Sequence, residues 1–103
     1  MYLVREVFHC RPGKVRPMVE KFKAMAKLGE GMGMPKMRIM TDFSGERYWT
    51  VVSEMEVPSL QAFEESMTKP PGSPEDMKKF EAIMKDYHEL VDEGHREIFK
   101  IEG

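Results

Sequence analysis

The hydrophobic period of the chain changes several times, and the order of these changes constrains the fold more than any other feature. Residues 2–9 are rich in β-branched and aromatic side chains, which is typical of a strand. From Lys14 the apolar residues recur at steps of three and four, which indicates an amphipathic helix that ends in the glycines at 29–33. Residues 35–43 and 47–57 are two extended runs around a short glycine-containing segment, which predicts a β-hairpin.

The second half of the chain predicts a broken helix and a last strand. Ser59 is a plausible N-cap for a short helix, and the segment KPPGSP at 69–74 interrupts it because proline cannot continue a helix. Ser73, Pro74 and Asp76 have the spacing of a second helix start with a capping box. Apolar residues at helical spacing continue to Val91, Gly94 ends this helix, and HREIFKIE closes the chain as a strand.

The order of elements is therefore strand, helix, strand, strand, broken helix, strand. This is the βαββαβ order of a ferredoxin-like α+β fold with a four-stranded antiparallel sheet. The chain of 103 residues contains no linker or low-complexity segment, so we expect one domain spanning residues 1–103.

The predicted hairpin has large apolar groups on both faces. A tight turn at residues 44–46 places Asp42 opposite Arg47 and puts Ile39 and Phe43 on the same face as Tyr48 and Val52. The other face then carries Met40, Trp49, Val51 and Met55. Because two helices cover only one face of a sheet, the other face would expose a large apolar patch. We therefore expect a homodimer formed through the uncovered face.

Three segments resemble a known superfamily. They are CRPGKVRPMVEKFK, MRIMTDFSGERYWTVVSEMEVPSLQAFEE and ELVDEGHREIFKIE, which together cover most of the chain. The chain is similar to the dimeric α/β-barrel superfamily, and within it to the NIPSNAP-like and antibiotic-biosynthesis-monooxygenase-like groups. The resemblance implies a homodimer whose two sheets form a barrel. It also implies a pocket, either between sheet and helices or inside the barrel.

Two functions follow from this resemblance. One is a protein that binds a small apolar or aromatic molecule in a barrel pocket without catalysis. The other is a cofactor-free monooxygenase, or a related small enzyme, that acts on an aromatic substrate. The candidate pocket residues are Arg38, Tyr48, Trp49 and Glu54. For Glu54, an ion pair with Arg5 or Arg38 is the alternative to a catalytic role.

Several residue types raise the question of a metal. Thioethers are soft ligands that select Cu(I), and the segment GMGMPKMRIM holds four of them. In a strand Met37 and Met40 point to opposite faces, so we expect packing and no metal site. His9 and His95 should be neighbours beside Cys10, but their spacing matches no ligand pattern. Haem-degrading relatives use a histidine after strand three, and residues 59–69 contain none. No cofactor is expected.

Charge and composition exclude other partners. Sixteen basic and eighteen acidic residues give a net charge of −2, which is unlike a nucleic-acid-binding protein. The sequence contains no polybasic anchor, leader or long apolar run, so no membrane partner is expected. The single cysteine, Cys10, fits a reducing compartment, and we expect a cytoplasmic protein.

Overall fold

The computed structural model describes residues 1–69 and 71–103. Its strands are β1 (Tyr2–Cys10), β2 (Met37–Thr41), β3 (Thr50–Val57) and β4 (Val91–Lys100). The helices are α1 (Val15–Gly31), α2 (Leu60–Thr68) and α3 (Pro74–Met84), and a single 3₁₀ turn spans Tyr87–Glu89.

The four strands form one antiparallel sheet in the order β2-β3-β1-β4. This arrangement, with the helices following β1 and β3, confirms the predicted ferredoxin-like α+β fold. In the single chain the sheet is open and does not close on itself, so its two outer strands are β2 and β4. The helices pack on one face only, and the opposite face is called the open face below.

The core lies between the sheet and α1. Met18, Val19 and Phe22 occupy the buried stripe of α1, as their spacing predicts, and pack against Cys10 and Val51. A second buried cluster joins Val4, Val57 and Phe63 under α2. These contacts hold α1 and α2 on the sheet and leave the C-terminal end of α1 free to border a cavity with α3.

The hairpin is present, but the predicted tight turn at 44–46 is wrong. The strands separate after Thr41 pairs with Val51, and residues 42–49 form an eight-residue loop. The Asp42 carboxylate accepts the backbone N–H of Thr50 at 2.8 Å, and Trp49 adopts a left-handed φ of 61°. Regular pairing between β2 and β3 therefore ends at Thr41 and Val51. Arg47 does not face Asp42; it forms an ion pair with Glu93 of β4.

Because the loop is longer than predicted, the predicted assignment of side chains to the two faces of the sheet is also wrong. Met37 pairs with Met55, and Ile39 pairs with Ser53, so odd-numbered residues of β2 share the helix-covered face with odd-numbered residues of β3. A register slip of one residue exchanges the faces of a whole strand. The open face therefore carries Met40 and Val52 together with Arg38 and Glu54. It is a mixed apolar and charged surface, with fewer large apolar groups than the sequence analysis placed on either face.

The helix break predicted at 69–74 is confirmed by the end of α2 at Thr68 and the start of α3 at Pro74. Pro70, inside the predicted loop, lies outside the described residues. The Ser73 hydroxyl accepts the Asp76 N–H at 3.2 Å, and the Asp76 carboxylate accepts the Ser73 N–H at 2.9 Å. This capping box is the predicted one, and the backbone N–H of Ser73 lowers the pKa of Asp76.

The helix predicted to run to Gly94 is shorter. It ends at Met84, because Lys85 is extended and Asp86 is left-handed with φ 62°. Tyr87 then contacts the ring of Phe8 edge-on at 6.2 Å between centroids. As a result β4 begins at Val91, four residues before the predicted strand at His95.

Gly94 lies inside β4 beside the ring of Phe8. A Cβ at this position would lie 2.7 Å from two ring carbons, and the ring is packed against Phe22 and Tyr87. We expect Gly94→Ala to lower the free energy of unfolding by about 1–3 kcal/mol because of this overlap. Gly31→Ala, where nothing lies within 4 Å of the added Cβ, is the control and should not destabilise. Equal urea midpoints for the two variants would contradict the packing.

Candidate active or binding site

A methionine-lined cavity of about 300 Å³ lies between the helices and the edge of the sheet. The name methionine groove is used for it below. Residues of α1, the α1–β2 connection, both strands of the hairpin and the two later helices contribute to it. Its lining comprises Met25, Ala26, Leu28, Gly29, Met32, Met34, Pro35, Met37, Met55, Ser66, Met67, Met77 and Phe80.

The end of α1 explains why distant methionines meet here. The helix ends at Gly31, and Gly33 takes a left-handed φ of 79°, which reverses the chain. The Met34 N–H then donates to the Gly29 carbonyl at 2.9 Å. This return places Met34 3.4 Å from the position a Cβ on Gly29 would take, so its side chain lies against the helix it has just left.

The groove is chemically uniform. Seven of the eleven methionines of the chain line it, and no charged side chain does so among the described residues. Ser66 is its polar side chain, and the Ser66 hydroxyl already donates to the Phe63 carbonyl at 2.7 Å. Met67 and Phe80 are about half exposed, at 53% and 42%, and so mark the open side. Thioether side chains are flexible and polarisable, so such a lining adapts to the shape of an apolar guest.

The structure shows which thioethers lie close enough together to be considered as Cu(I) ligands. Met37 lines the groove and Met40 lines the open face, which confirms the predicted divergence of these two side chains. Met32, Met34 and Met37 nevertheless meet four further thioethers that the sequence argument did not count. We still expect no tight Cu(I) site, because an uncharged apolar lining gives a cation no counter-charge. Competition with a bicinchoninate chelator should show no stoichiometric transfer, and a one-per-chain site would contradict this expectation.

The four residues predicted for the pocket fall into two pairs. Arg38 and Glu54 are directly paired across β2 and β3 on the open face. Tyr48 and Trp49 lie in the 42–49 loop at the end of the sheet, exposed by 84% and 43%. None of the four lines the methionine groove. A role for the four residues in a ligand pocket stays a prediction.

Glu54 forms the predicted ion pairs, and with both candidate arginines. Its Oε1 accepts from Arg38 Nη2 at 2.7 Å, and its Oε2 lies 3.0 Å from Arg5 Nε. The Arg5 Nε is buried and not aligned for a hydrogen bond, while Arg5 Nη1 donates to Glu97 at 3.3 Å. The Glu54 side chain is 10% exposed. Its charge is therefore compensated by neighbours, which is what a structural carboxylate requires.

The histidines are neighbours, as predicted. The rings of His9 and His95 lie 6.1 Å apart between centroids on the open face, and His9 Nδ1 is 3.2 Å from the Thr50 hydroxyl. Cys10 points to the opposite, helix-covered face, where burial raises the pKa of its thiol. Within residues 1–69 and 71–103, no three His, Cys, Asp or Glu side chains are placed to hold a metal.

A second cavity, of about 510 Å³, lies on the open face beneath the 42–49 loop. Apolar Val7, Met40 and Val52 line it together with charged or titratable side chains, among them Arg5, His9, His95 and Glu97. The protein thus has an apolar groove on the helix side and a polar groove on the open side.

Comparisons with known structures confirm the fold. An uncharacterized NIPSNAP domain protein from Burkholderia xenovorans superposes with a TM-score of 0.78 at 12% identity, covering 99% of this chain and 95% of that one. A NIPSNAP family protein from Agrobacterium tumefaciens gives 0.75 at 14% identity, covering 98% and 85%. An antibiotic biosynthesis monooxygenase-like protein from Chloroflexus aurantiacus gives 0.60 at 12% identity, covering 99% and 94%.

At these identities the similarity defines a class of fold, the one shared by NIPSNAP domain and antibiotic biosynthesis monooxygenase-like proteins. This confirms, for the fold, the resemblance stated from the sequence. The sequence matches no protein-family model, and no curated protein matches it significantly. None of the helices in the described part of the chain is long and apolar enough to cross a membrane.

Proposed function

We propose that the protein binds a small, neutral, apolar or aromatic molecule in the methionine groove and acts as a binding protein without chemistry of its own. The observation that carries this proposal is the lining itself, which combines seven thioethers with no charged group among the described residues. A volume of about 300 Å³ is at the lower end of small-molecule pockets.

The lining also argues for binding over catalysis. General acid–base or nucleophilic chemistry needs a positioned, titratable or nucleophilic group within reach of the ligand. In the described chain the groove offers only the Ser66 hydroxyl, which has no base beside it in the lining. A charged ligand group would lose its hydration there without a partner, so the guest should be neutral.

The alternative is a cofactor-free monooxygenase or related small enzyme acting on an aromatic substrate. The polar groove on the open face favours it, because Arg5, His9 and His95 there could bind an aromatic anion. Oxygen uptake with a dihydroxynaphthalene separates the two functions. We expect no uptake above buffer, whereas saturable uptake by the wild-type protein would favour the enzyme.

We further propose that the functional unit is a homodimer joined through the open face. This face has no helix over it, and it carries Met40 and Phe99, which are exposed by 36% and 50%. Two such sheets packed face to face would form the barrel that the fold class suggests. The one cysteine is buried and free, which fits the cytoplasm as its compartment.

Ala26 provides a direct test of the groove. It lines the cavity from α1, whereas Ala24, two residues earlier on the same helix, is exposed and does not. We expect Ala26→Leu to weaken binding of the neutral fluorescent probe N-phenyl-1-naphthylamine by about tenfold or more, since the added carbons take the probe's space.

Ala24→Leu is the matched control, because it adds the same side chain to the same helix outside the groove. Its probe affinity should stay within about twofold of the wild type. Equal affinity in both variants, or no probe binding by the wild type, would contradict the proposal.

A further inference from the structure

Met67 is the thioether of the methionine groove that solvent reaches most easily. It lies on α2 at the open side and is 53% exposed, whereas the other six methionines of the lining are partly buried. A small, water-soluble oxidant therefore meets the Met67 sulfur before it meets the others, since oxidation of a side chain follows its exposure. Met18, at 0% exposure in the core, marks the opposite extreme.

Sulfur gives this wall a reactivity that other apolar side chains lack. Leucine has a similar volume and replaces methionine in packed sites at small cost, but only the thioether can accept an oxygen atom. Hydrogen peroxide supplies that atom: an S–O bond forms as the O–O bond breaks, and the second oxygen leaves as water. The sulfur loses two electrons and the peroxide gains them, so the products are methionine sulfoxide and water.

Both hydroxyl groups that flank Met67 on α2 are already used as donors. The Ser66 hydroxyl donates to the Phe63 carbonyl at 2.7 Å, and the Thr68 hydroxyl donates to the Glu64 carbonyl at 3.1 Å. The new sulfoxide oxygen is a strong acceptor, and an unpaired polar atom is costly in an apolar site. The oxidised side chain must therefore turn its oxygen to water, which withdraws the side chain from the groove or draws water into its mouth.

Either movement weakens the binding of a neutral, apolar guest. The guest loses a thioether contact at the mouth of the groove, and its apolar surface is no longer fully removed from water. A bound guest, in turn, covers the Met67 sulfur and should slow its oxidation.

We infer that Met67 is an oxidation site that couples the methionine groove to hydrogen peroxide. The groove holds its guest while Met67 is a thioether and releases it when Met67 is a sulfoxide. This inference rests on the proposed function, because only a groove that binds a guest can release one. Reduction by a dithiol and methionine sulfoxide reductase restores the groove, with a thioether, a disulfide and water as products.

Probe binding before and after peroxide treatment tests the inference. Each protein is exposed to dilute hydrogen peroxide for the same time, quenched with catalase and mapped by peptide mass spectrometry. Its dissociation constant for N-phenyl-1-naphthylamine is then compared with that of its own untreated form. In the wild type, oxidation of Met67 should raise this constant by about fivefold or more, and the reductases for the two sulfoxide epimers should reverse the rise. In Met67→Leu the treated and untreated forms should bind alike.

Met40→Leu is the matched control. Met40 is an exposed thioether outside the groove lining, so this variant should lose as much affinity on oxidation as the wild type does. Met67→Gln places a polar amide at the same position without any oxidant. It should weaken probe binding by about the same factor as oxidation of the wild type.

The outcomes separate this inference from the proposed function. A loss of affinity that persists in Met67→Leu, or a Met67 sulfoxide form that binds the probe as well as the thioether form, would overturn the inference and keep the groove as a binding site. No probe binding by the untreated wild type would overturn the proposed function, and the inference with it. Slower sulfoxide formation at Met67, but not at Met40, in the presence of saturating probe would support both.

Discussion

Met18→Ala is expected to lower the free energy of unfolding by about 2–5 kcal/mol, the largest stability effect we expect from a methionine in this chain. Met18 is 0% exposed and sits at the centre of the main core cluster, in contact with the layer that includes Phe22 and Val51. Its truncation removes apolar contacts on all sides and leaves a cavity that the close-packed sheet cannot fill.

Met40→Ala provides the matched control, because Met40 is 36% exposed on the open face. In dilute protein, where any dimer has dissociated, it should cost under about 1 kcal/mol. Chemical unfolding followed by circular dichroism measures both variants. A cost for Met18→Ala no greater than that of Met40→Ala would show that α1 is not packed on the sheet as described.

Glu54→Gln is expected to cost about 2–3 kcal/mol of unfolding free energy. The glutamine keeps the shape of the side chain but removes the negative charge that Arg5 and Arg38 share. Breaking a buried ion pair costs about 3–5 kcal/mol, and the value here is smaller because Arg38 is 70% exposed to water. Arg5 retains Glu97 as a second partner, 3.3 Å away.

Glu56→Gln is the control for this prediction. Glu56 lies two residues later on β3 and on the same face, but it is exposed. Its replacement should change stability by less than about 0.5 kcal/mol. If the two variants unfold at the same denaturant concentration, Glu54 is not a structural ion-pair partner, and a role in an open-face site gains support.

The fold could be predicted from the sequence because its signals are local. The period of the apolar residues in α1, the capping box at Ser73 and the prolines at 69–74 each act within a few residues of chain. The hairpin register could not be predicted in this way. It depends on the Asp42 carboxylate binding the Thr50 N–H and on the left-handed Trp49, which neither run of residues reveals alone.

The methionine groove was not predicted as a ligand site, because the sequence analysis assigned its methionines to packing and placed the pocket at other residues. The cluster Met32, Met34 and Met37 attracted attention in the sequence, but its partners Met55 and Met77 are distant and meet it only in the folded chain. The sequence feature that could have indicated a methionine-lined groove is the high methionine content, eleven in 103 residues. Conversely, Glu54 was named as a pocket candidate, and its ion pairs with Arg5 and Arg38 are the alternative that the sequence analysis gave.

Methyl NMR of the methionines tests the central claim most directly. In protein labelled with [ε-¹³C]methionine, seven methyl groups report on the methionine groove, and those of Met1, Met18, Met40 and Met84 lie outside its lining. On titration with N-phenyl-1-naphthylamine, we predict saturable shifts concentrated in the seven groove methyls, with the other four nearly unchanged. Shifts confined to Met40, or no saturable shift at any methyl, would contradict a ligand site in the methionine groove.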